Sequence, residues 1–358
     1  MHILVDISAH GLGHLSQTAP VIEAIKLRVP MLRVTLRSAL PRSQLKRAIA
    51  TNFDHVPETR DFGFLMRNAV DIDLTASGTA YRDFHQDWQD RIAIEVGWLK
   101  KYKVDAVLTN VAYLPLAAAA RAGIPSASLC SINWADLFIH YFAKEPWAAK
   151  IYDEMLSAYL DARCFLRVSP GLPMANLLRR RNIGTIARVG RRDRRSLSQR
   201  LDIREANRWI LLAMGGMEFR LPVESWPSTP GFTWLVPDSW QVIREDVRAF
   251  DNTGIDFGDV LASVDAVITK PGYGTFVEAA CGGIPILYLQ RDDWPETAYL
   301  AEWLATNARS QVLTRSCLMK GEVIDALMQL WNEPAPNAPF ATGVNEAVEL
   351  LEKIFRLG

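Results

Sequence analysis

Short runs of consecutive apolar residues alternate along the chain with longer segments in which apolar residues recur every three to four positions. The first pattern is typical of buried strands and the second of helices that cover a sheet. Strands that alternate with helices form parallel sheets, so the pattern predicts an α/β fold. In the first half the predicted elements are the strand HILVDIS, a helix over 16–28, the strands LRVTLRS and DAVLTN, the helix LPLAAAARAG, the strand SASLCS, a helix over 151–162 and the strand CFLRVS.

A second alternating series follows a stretch rich in proline, glycine and arginine that has neither period. Its predicted elements are the strands WILLAMGG and FTWLVP, the helix FGDVLASV, the strand DAVITK, the helix GTFVEAACG, the strand IPILYL, the helix PETAYLAEWLA and two closing helices near 321–331 and 343–356. We therefore expect two Rossmann-like domains whose parallel sheets face a central cleft. The expected division is a first domain over 1–168, a linker over 169–200, a second domain over 201–342, and a final helix over 343–358 that either packs back on the first domain or makes a dimer contact.

Composition narrows the class of protein. The chain of 358 residues has 40 basic and 40 acidic side chains, so its net charge favours neither nucleic acid nor a membrane surface as a partner. The arginines over 179–204 lack interleaved aromatics and fit a solvated surface better than an RNA site. Four cysteines without a CxxC pair indicate reduced thiols. With no signal peptide and no apolar stretch long enough to span a bilayer, we expect a cytoplasmic protein; peripheral membrane contact and the oligomeric state stay open.

The most informative segment is ITKPGYGTFVEAACGGIPILYL at 268–289. Its strand is expected to end at Lys270, and a glycine-rich turn enters a helix at Thr275. Glycines allow close approach of a ligand, and the free N–H groups at a helix start favour an anion such as phosphate. Lys270 adds a positive charge, and Glu278 shares a helix face with Gly274 and Thr275, where a carboxylate suits the hydroxyls of a ribose. The alternative is a glycine turn that only caps a helix.

This segment resembles the nucleotide-sugar motif of GT-B-fold glycosyltransferases, which in plant secondary-product enzymes reads H-C-G-W-N-S-x-x-E-A followed by G-V-P. The segment GIDFGDVLASVDAVIT resembles the part of these enzymes, and of the transferase that makes lipid II, that holds uracil. The closest likeness is to the glycosyltransferase-like N-terminal half of plant L-arabinokinases, which carries counterparts of HGLGH, KPGYGT, QRDDWPETAYL and NWAD. The sugar-kinase half of those proteins has no counterpart here, so a kinase activity is not implied.

The resemblance implies a donor site in the second domain. Lys270 stands where the plant enzymes have histidine, Gly272 and Thr275 match their glycine and serine, and Glu278 matches the ribose-binding glutamate. The nucleotide and diphosphate candidates are Lys270, Gly272, Tyr273, Gly274, Thr275, Glu278, Ile255 through its backbone, Gly215, Gly216, and Arg191 or Arg192. Where many relatives hold donor-sugar hydroxyls with an acidic residue and glutamine, this chain offers Asp292, Asp293 and Glu296, and no glutamine follows.

The stretch AHGLGHLSQ at 9–17 follows the first strand. Relatives carry a Gly-His pair there, and His14 matches its histidine. Imidazole titrates near neutral pH, so His14 can take a proton from an acceptor hydroxyl. His10 is a second candidate base, and the alternative for both histidines is a polar helix entry without chemistry. Residues that follow strand ends, and that we expect on the acceptor side, are Asn110, Asn133, Trp134 and Asp136.

The expected function is a glycosyltransferase that moves a sugar from a nucleotide-diphosphate sugar, with uridine as the expected base, to an unidentified hydroxyl. Neither a metal nor another cofactor is expected, since no D-x-D cluster is present and the nucleotide sugar is a co-substrate. The alternatives are a nucleotide-sugar epimerase or hydrolase on the same scaffold, or a protein that binds or senses nucleotide sugars without catalysis. The acceptor can be a small molecule, a lipid-linked group or a glycan.

Overall fold

The computed structural model describes residues 1–215, 219–251 and 254–357, which form two compact units. Unit 1 consists of Met1–Arg67, Asp71–Ile186 and Ala341–Gly358, and unit 2 of Asn68–Val70 and Ala187–Phe340.

Unit 1 contains a parallel sheet of seven strands in the order β3-β2-β1-β4-β5-β6-β7. The strands are β1 (His2–Ile7), β2 (Arg33–Arg37), β3 (Asp54–Val56), β4 (Ala106–Asn110), β5 (Ser126–Cys130), β6 (Cys164–Val168) and β7 (Arg180–Ile183). The central strands β1, β4 and β5 are buried along their whole length, which is why they read as apolar runs in the sequence. The chain order reverses between β1 and β4, and in open α/β sheets such a switch point lies under the ligand-binding crevice at the carboxyl ends of the strands.

The helices of unit 1 cover this sheet, and some of them follow one another in the chain without an intervening strand. They are α1 (Leu12–Arg28), α2 (Arg42–Ala48), α3 (Leu74–Gln86), α4 (Trp88–Lys101), α5 (Leu114–Ala122), α6 (Trp134–Phe142), α7 (Ala148–Asp161) and, at the end of the chain, α14 (Gly343–Phe355). The last helix packs against α1, β5, β6 and β7 and buries Ala347, Val348 and Leu351, so it belongs to unit 1.

Unit 2 contains a parallel sheet of six strands in the order β10-β9-β8-β11-β12-β13, with its switch point between β8 and β11. The strands are β8 (Arg208–Ala213), β9 (Phe232–Val236), β10 (Val247–Ala249), β11 (Ala266–Thr269), β12 (Ile286–Leu289) and β13 (Ser310–Leu313). The helices are α8 (Arg194–Leu201), α9 (Phe257–Ser263), α10 (Tyr273–Cys281), α11 (Glu296–Asn307), α12 (Arg315–Lys320) and α13 (Ile324–Asn332). The predicted α/β class with two parallel-sheet domains is therefore confirmed.

The expected linker over 169–200 does not exist as a separate segment. Residues up to Ile186 belong to unit 1, where β7 extends the sheet, and the remainder belong to unit 2, where α8 begins at Arg194. The sequence pattern missed β7 because its residues RRNI are mostly exposed at the sheet edge. An edge strand is held by backbone hydrogen bonds to one neighbour, so it needs no run of apolar side chains.

Within the described residues, no helix is both long enough and apolar enough to span a bilayer. The same residues include no group of three or more histidine, cysteine, aspartate or glutamate side chains placed to hold a metal ion.

Candidate functional site

His14 lies in the first turn of α1, directly beside the carboxyl ends of β1 and β4. Its imidazole is almost fully buried, and Nδ1 lies 2.6 Å from Oδ1 of Asn110, the last residue of β4. The Asn110 amide is oriented because its Nδ2 donates to the Leu129 carbonyl at 2.7 Å, which leaves Oδ1 as the acceptor for His14. The Nδ1 of His14 must therefore carry the proton, and its Nε2 keeps a lone pair.

Burial also sets the charge of this imidazole. It lowers the pKa of His14 to about 4, and the hydrogen bond to Asn110 offsets only part of that effect. His14 is thus neutral near pH 7, with a fixed tautomer and an unprotonated Nε2. This nitrogen can accept a proton from a hydroxyl, but burial makes it a weaker base than a free imidazole.

Both histidines pack against Trp134, whose ring is in turn held by Asp61. The Trp134 ring centroid lies 5.3 Å from that of His10 and 5.7 Å from that of His14. The indole Nε1 donates to Oδ2 of Asp61 at 2.7 Å, which fixes the ring. Gly63, with φ of 59°, is needed here, since a Cβ would come within 2.7 Å of the Trp134 ring.

Asp61 is a site residue that the sequence analysis missed. Burial raises the pKa of its carboxyl to about 7, and the nearby Asp6 adds to the effect. A buried carboxyl that is half protonated near neutral pH is typical of functional sites, although buried ion networks also produce one. The sequence carries no signal for it, because Asp61 meets Trp134 only through the fold.

The acceptor-side candidates have varied surroundings. Trp134 is fully buried and offers no exposed ring face to a sugar. Asn133 is also fully buried, and its Oδ1 accepts from the Asp136 backbone N–H at 2.8 Å, so it caps α6. Asp136 is partly buried, and burial raises the pKa of its carboxyl.

The second cluster lies in unit 2, at the carboxyl ends of β8 and β11. Lys270 follows β11, and its side chain runs over Gly215, where a Cβ would lie 2.7 Å from the lysine Cε. Gly215 has φ of 88°, so glycine suits both the backbone and the lysine. Gly216 lies outside the described residues.

Helix α10 begins at Tyr273, two residues earlier than the sequence indicated, and Gly272 caps it without a side-chain hydrogen bond. The first intrahelical bond runs from the Phe276 N–H to the Gly272 carbonyl, so the N–H groups of Gly274 and Thr275 make no bond within the helix. A Cβ on Gly272 would meet nothing closer than Lys270 at 3.9 Å, and the backbone there is extended. The protein itself therefore does not require glycine at 272.

Glu278 lies one turn into α10, on the helix face that carries Gly274 and Thr275. Burial and the nearby Asp256 raise the pKa of its carboxyl to about 8, while a hydrogen bond from the Arg188 backbone lowers it. Arg188 reaches this position because its chain crosses α9 at Gly190, where a Cβ would clash with the Gly258 backbone at 2.0 Å.

The two arginines expected at the diphosphate, Arg191 and Arg192, are exposed, and the backbone N–H of Arg191 donates to Asp259 at 2.7 Å. The arginine beside Glu278 is Arg188, which the sequence analysis missed. Ile255 is partly buried one residue before Asp256, which caps α9 by accepting from the Gly258 N–H at 2.8 Å.

The donor-sugar candidates follow β12 and differ in burial. Asp292 and Asp293 are exposed, and each accepts a hydrogen bond from a neighbouring side chain, at 2.8 Å from Gln290 and 3.2 Å from Arg291. Glu296 is buried at the start of α11 and accepts from the Trp294 indole at 3.3 Å. Burial and the charge of Arg291 together lower the pKa of Lys270 to about 8, while Glu296 acts to raise it.

Comparison with known proteins gives three findings. The search of family models finds no match. The L-arabinokinase of Arabidopsis thaliana is 22% identical over 328 residues, which are 88% of this chain but only 31% of that protein. The chain thus spans about a third of that relative's length.

Solved structures are similar over nearly the whole chain. The glycotransferase of kitacinnamycin matches with a TM-score of 0.64 and 18% identity, covering 99% of this chain and 94% of that one. A proposed UDP-N-acetylglucosamine 2-epimerase from Listeria monocytogenes matches with a TM-score of 0.61 and 13% identity, covering 100% of this chain and 97% of that one. The protein has the GT-B fold, as the resemblance implied.

Proposed function

We propose that the protein is a glycosyltransferase that moves a sugar from a nucleotide-diphosphate sugar, with UDP as the nucleotide, to an acceptor hydroxyl without a metal. The observation that carries the proposal is the arrangement of Lys270 at the end of β11, the N-terminus of α10 directly after it, and Glu278 one turn along the same helix. A cation and helix N–H groups suit a diphosphate, and a carboxylate at this spacing suits the vicinal hydroxyls of a ribose.

Unit 1 supplies the base in the proposed reaction. The Nε2 of His14 takes the proton of the acceptor hydroxyl, whose oxygen forms a bond to the anomeric carbon. The bond from that carbon to the diphosphate oxygen breaks, and UDP leaves with the electron pair. Lys270 and the start of α10 stabilise the charge that develops on the diphosphate. His10 is the alternative base. Asp136 is the best-supported of the acceptor-side candidates, because it is only partly buried.

Binding of the nucleotide is the first test. UDP that binds only the folded protein raises the melting temperature by mass action, so saturating UDP should stabilise unit 2 measurably. Glu278→Ala should weaken this effect, whereas Glu302→Ala, on the exposed face of α11, should not. An unchanged melting temperature with millimolar UDP and with other nucleoside diphosphates contradicts the donor site.

Catalysis is tested separately. His14→Ala should abolish turnover with a competent donor and acceptor and leave UDP affinity within about twofold, since the two clusters lie in different units. Turnover that survives this substitution would transfer the role of base to another group, and His10→Ala then tests the second candidate.

An epimerase is the second candidate, because one of the similar structures carries that name. Incubation with UDP-N-acetylglucosamine distinguishes the two. An epimerase converts the sugar in the absence of any acceptor, a hydrolase releases free sugar and UDP, and a transferase releases UDP in step with a glycosylated acceptor. A protein that binds the nucleotide sugar and catalyses none of these reactions is a sensor.

A further inference from the structure

Arg291 is a buried cation with a donor that no described residue satisfies. It lies two residues beyond β12, and its guanidinium covers the Trp294 ring at 4.8 Å from the centroid. Only 6% of its side chain is exposed. The Nε donates to Asp293 at 3.2 Å, but the buried Nη2 has no hydrogen-bond acceptor among the described residues.

Other inward-facing arginines of unit 2 are satisfied by the protein. Arg194 donates to the Ser263 carbonyl, the Asp265 carboxylate and two further carbonyls. Arg244 donates to both oxygens of Asp246 and to the carbonyls of Val223 and Trp226. A buried charged donor without a partner costs on the order of 1–3 kcal/mol or more, so the exception at Arg291 needs a reason.

The position of Arg291 supplies that reason. The strands β11 and β12 are parallel neighbours with Thr269 opposite Tyr288, so Lys270 and Arg291 both follow carboxyl ends at the same edge of the sheet. They are close enough for the charge of Arg291 to lower the pKa of Lys270, whereas the charge of Glu296 raises it. Lys270 and Arg291 thus lie at one edge of the sheet with the carboxylates of Glu296 and Asp293, and the Nη2 of Arg291 is the buried donor there that none of the described residues satisfies.

We propose that Arg291 and Lys270 together form an oxyanion subsite for the donor, and this proposal rests on the donor site proposed above. The oxyanion is a diphosphate oxygen or a carboxylate on the sugar, as in a uronic acid. The guanidinium over the Trp294 ring is planar and has further N–H groups beyond the Nε that bonds Asp293, and such a fork suits the two oxygens of either group. Neutral sugar hydroxyls are the weaker fit, because a guanidinium N–H forms a stronger hydrogen bond with an ionised oxygen than with a neutral one.

Isothermal titration with four probes tests the subsite: inorganic pyrophosphate, UDP, UDP-glucose and UDP-glucuronate. The variants are Arg291→Gln, which removes the charge, and Arg291→Lys, which keeps the charge but removes the planar fork. Arg208→Gln is the matched control, because Arg208 also covers a tryptophan ring at 4.8 Å but lies at the start of β8, with 56% of its side chain exposed. Circular dichroism and melting curves show whether each variant is folded, and Arg291→Lys serves as the test if Arg291→Gln is not.

A loss of at least tenfold in affinity of Arg291→Gln for pyrophosphate and all three uridine compounds assigns Arg291 to the diphosphate. A comparable loss for UDP-glucuronate alone assigns it to a sugar carboxylate. In either case Arg208→Gln should bind like the wild type. Affinities of both Arg291 variants within twofold of the wild type for every probe overturn the proposal.

The same titrations separate this proposal from the donor site itself. A wild-type protein that binds pyrophosphate through Arg291 but none of the uridine compounds keeps the oxyanion subsite and refutes the uridine donor. A wild-type protein that binds the uridine compounds with no contribution from Arg291 keeps the donor and refutes the subsite. A wild-type protein that binds no probe refutes both.

Discussion

Lowering the pH from 8 to 5 should destabilise the protein by about 2 kcal/mol through His14 alone. The pKa of His14 is about 4 in the folded protein and 6.5 when the imidazole is free. Between those values the unfolded chain binds the proton and the folded one does not. The contribution of the neutral, buried imidazole to the free energy of unfolding is therefore complete above pH 6.5 and is lost as the pH falls towards 4.

Urea unfolding at pH 8, 6 and 5 measures the effect. The free energy of unfolding of His14→Gln should fall by about 2 kcal/mol less than that of the wild type over this range. Other acid-sensitive groups, such as the buried His85, are present in both proteins and cancel in the comparison. The control is His140→Gln on an exposed position of α6, which should follow the wild type.

Parallel stability curves for wild type and His14→Gln would refute the reasoning. They would mean that water or a rearranged loop solvates His14 and that its imidazole titrates in the ordinary range. An NMR titration of the His14 ring provides the second readout, because a neutral imidazole with a proton on Nδ1 should persist down to about pH 5. The result matters for catalysis, since a general base must be unprotonated at the working pH.

Three further predictions concern the other groups. Between pH 5 and 8 the wild type should lose about 2–3 kcal/mol of unfolding free energy through Asp61, because a buried carboxyl with a raised pKa destabilises the folded protein as it ionises. Asp61→Asn should not show this loss in urea unfolding at the two pH values. The exposed Asp153→Asn is the control and should lose as much as the wild type. UDP affinity, measured by calorimetry, should fall as the pH rises through the Lys270 pKa of about 8, and Lys270→Arg should flatten that profile; identical profiles would contradict the role of Lys270. Gly272→Ala should keep its unfolding free energy within about 0.5 kcal/mol yet lose at least tenfold in UDP affinity by titration. The control is Gly97→Ala, whose Cβ meets no atom within 4 Å and which should keep its UDP affinity; unchanged affinity of Gly272→Ala would show that no ligand approaches Gly272.

The fold was predictable because its elements follow from local patterns. The buried strands β1, β4 and β5 read as apolar runs, and the segment KPGYGT marked the end of β11 and the start of α10. The errors have physical causes. Edge strands such as β7 carry polar side chains. The expected linker is divided between the two units, because its first part adds β7 to the sheet of unit 1 and its last part belongs to unit 2.

The candidate site was predictable in part. The sequence indicated His14, Lys270 and Glu278, because each lies just after a strand or near the start of a helix. A residue's place in such an element can be read from sequence. Their environments cannot be read this way. Nothing in the sequence indicated that Arg188 lies beside Glu278, because this neighbourhood depends on how the segment around Gly190 packs on α9.

The sequence by itself determined the order of strands and helices and the kinds of side chain at the strand ends, since both depend on periodicity and residue type. Only the tertiary structure decided their chemistry. It brings Asn110 to His14 across 96 positions and Asp61 to Trp134 across 73, and it buries the charge of Arg291 beside Lys270. Protonation depends on burial and on partners distant in the chain, and these exist only once the sheets have formed and packed.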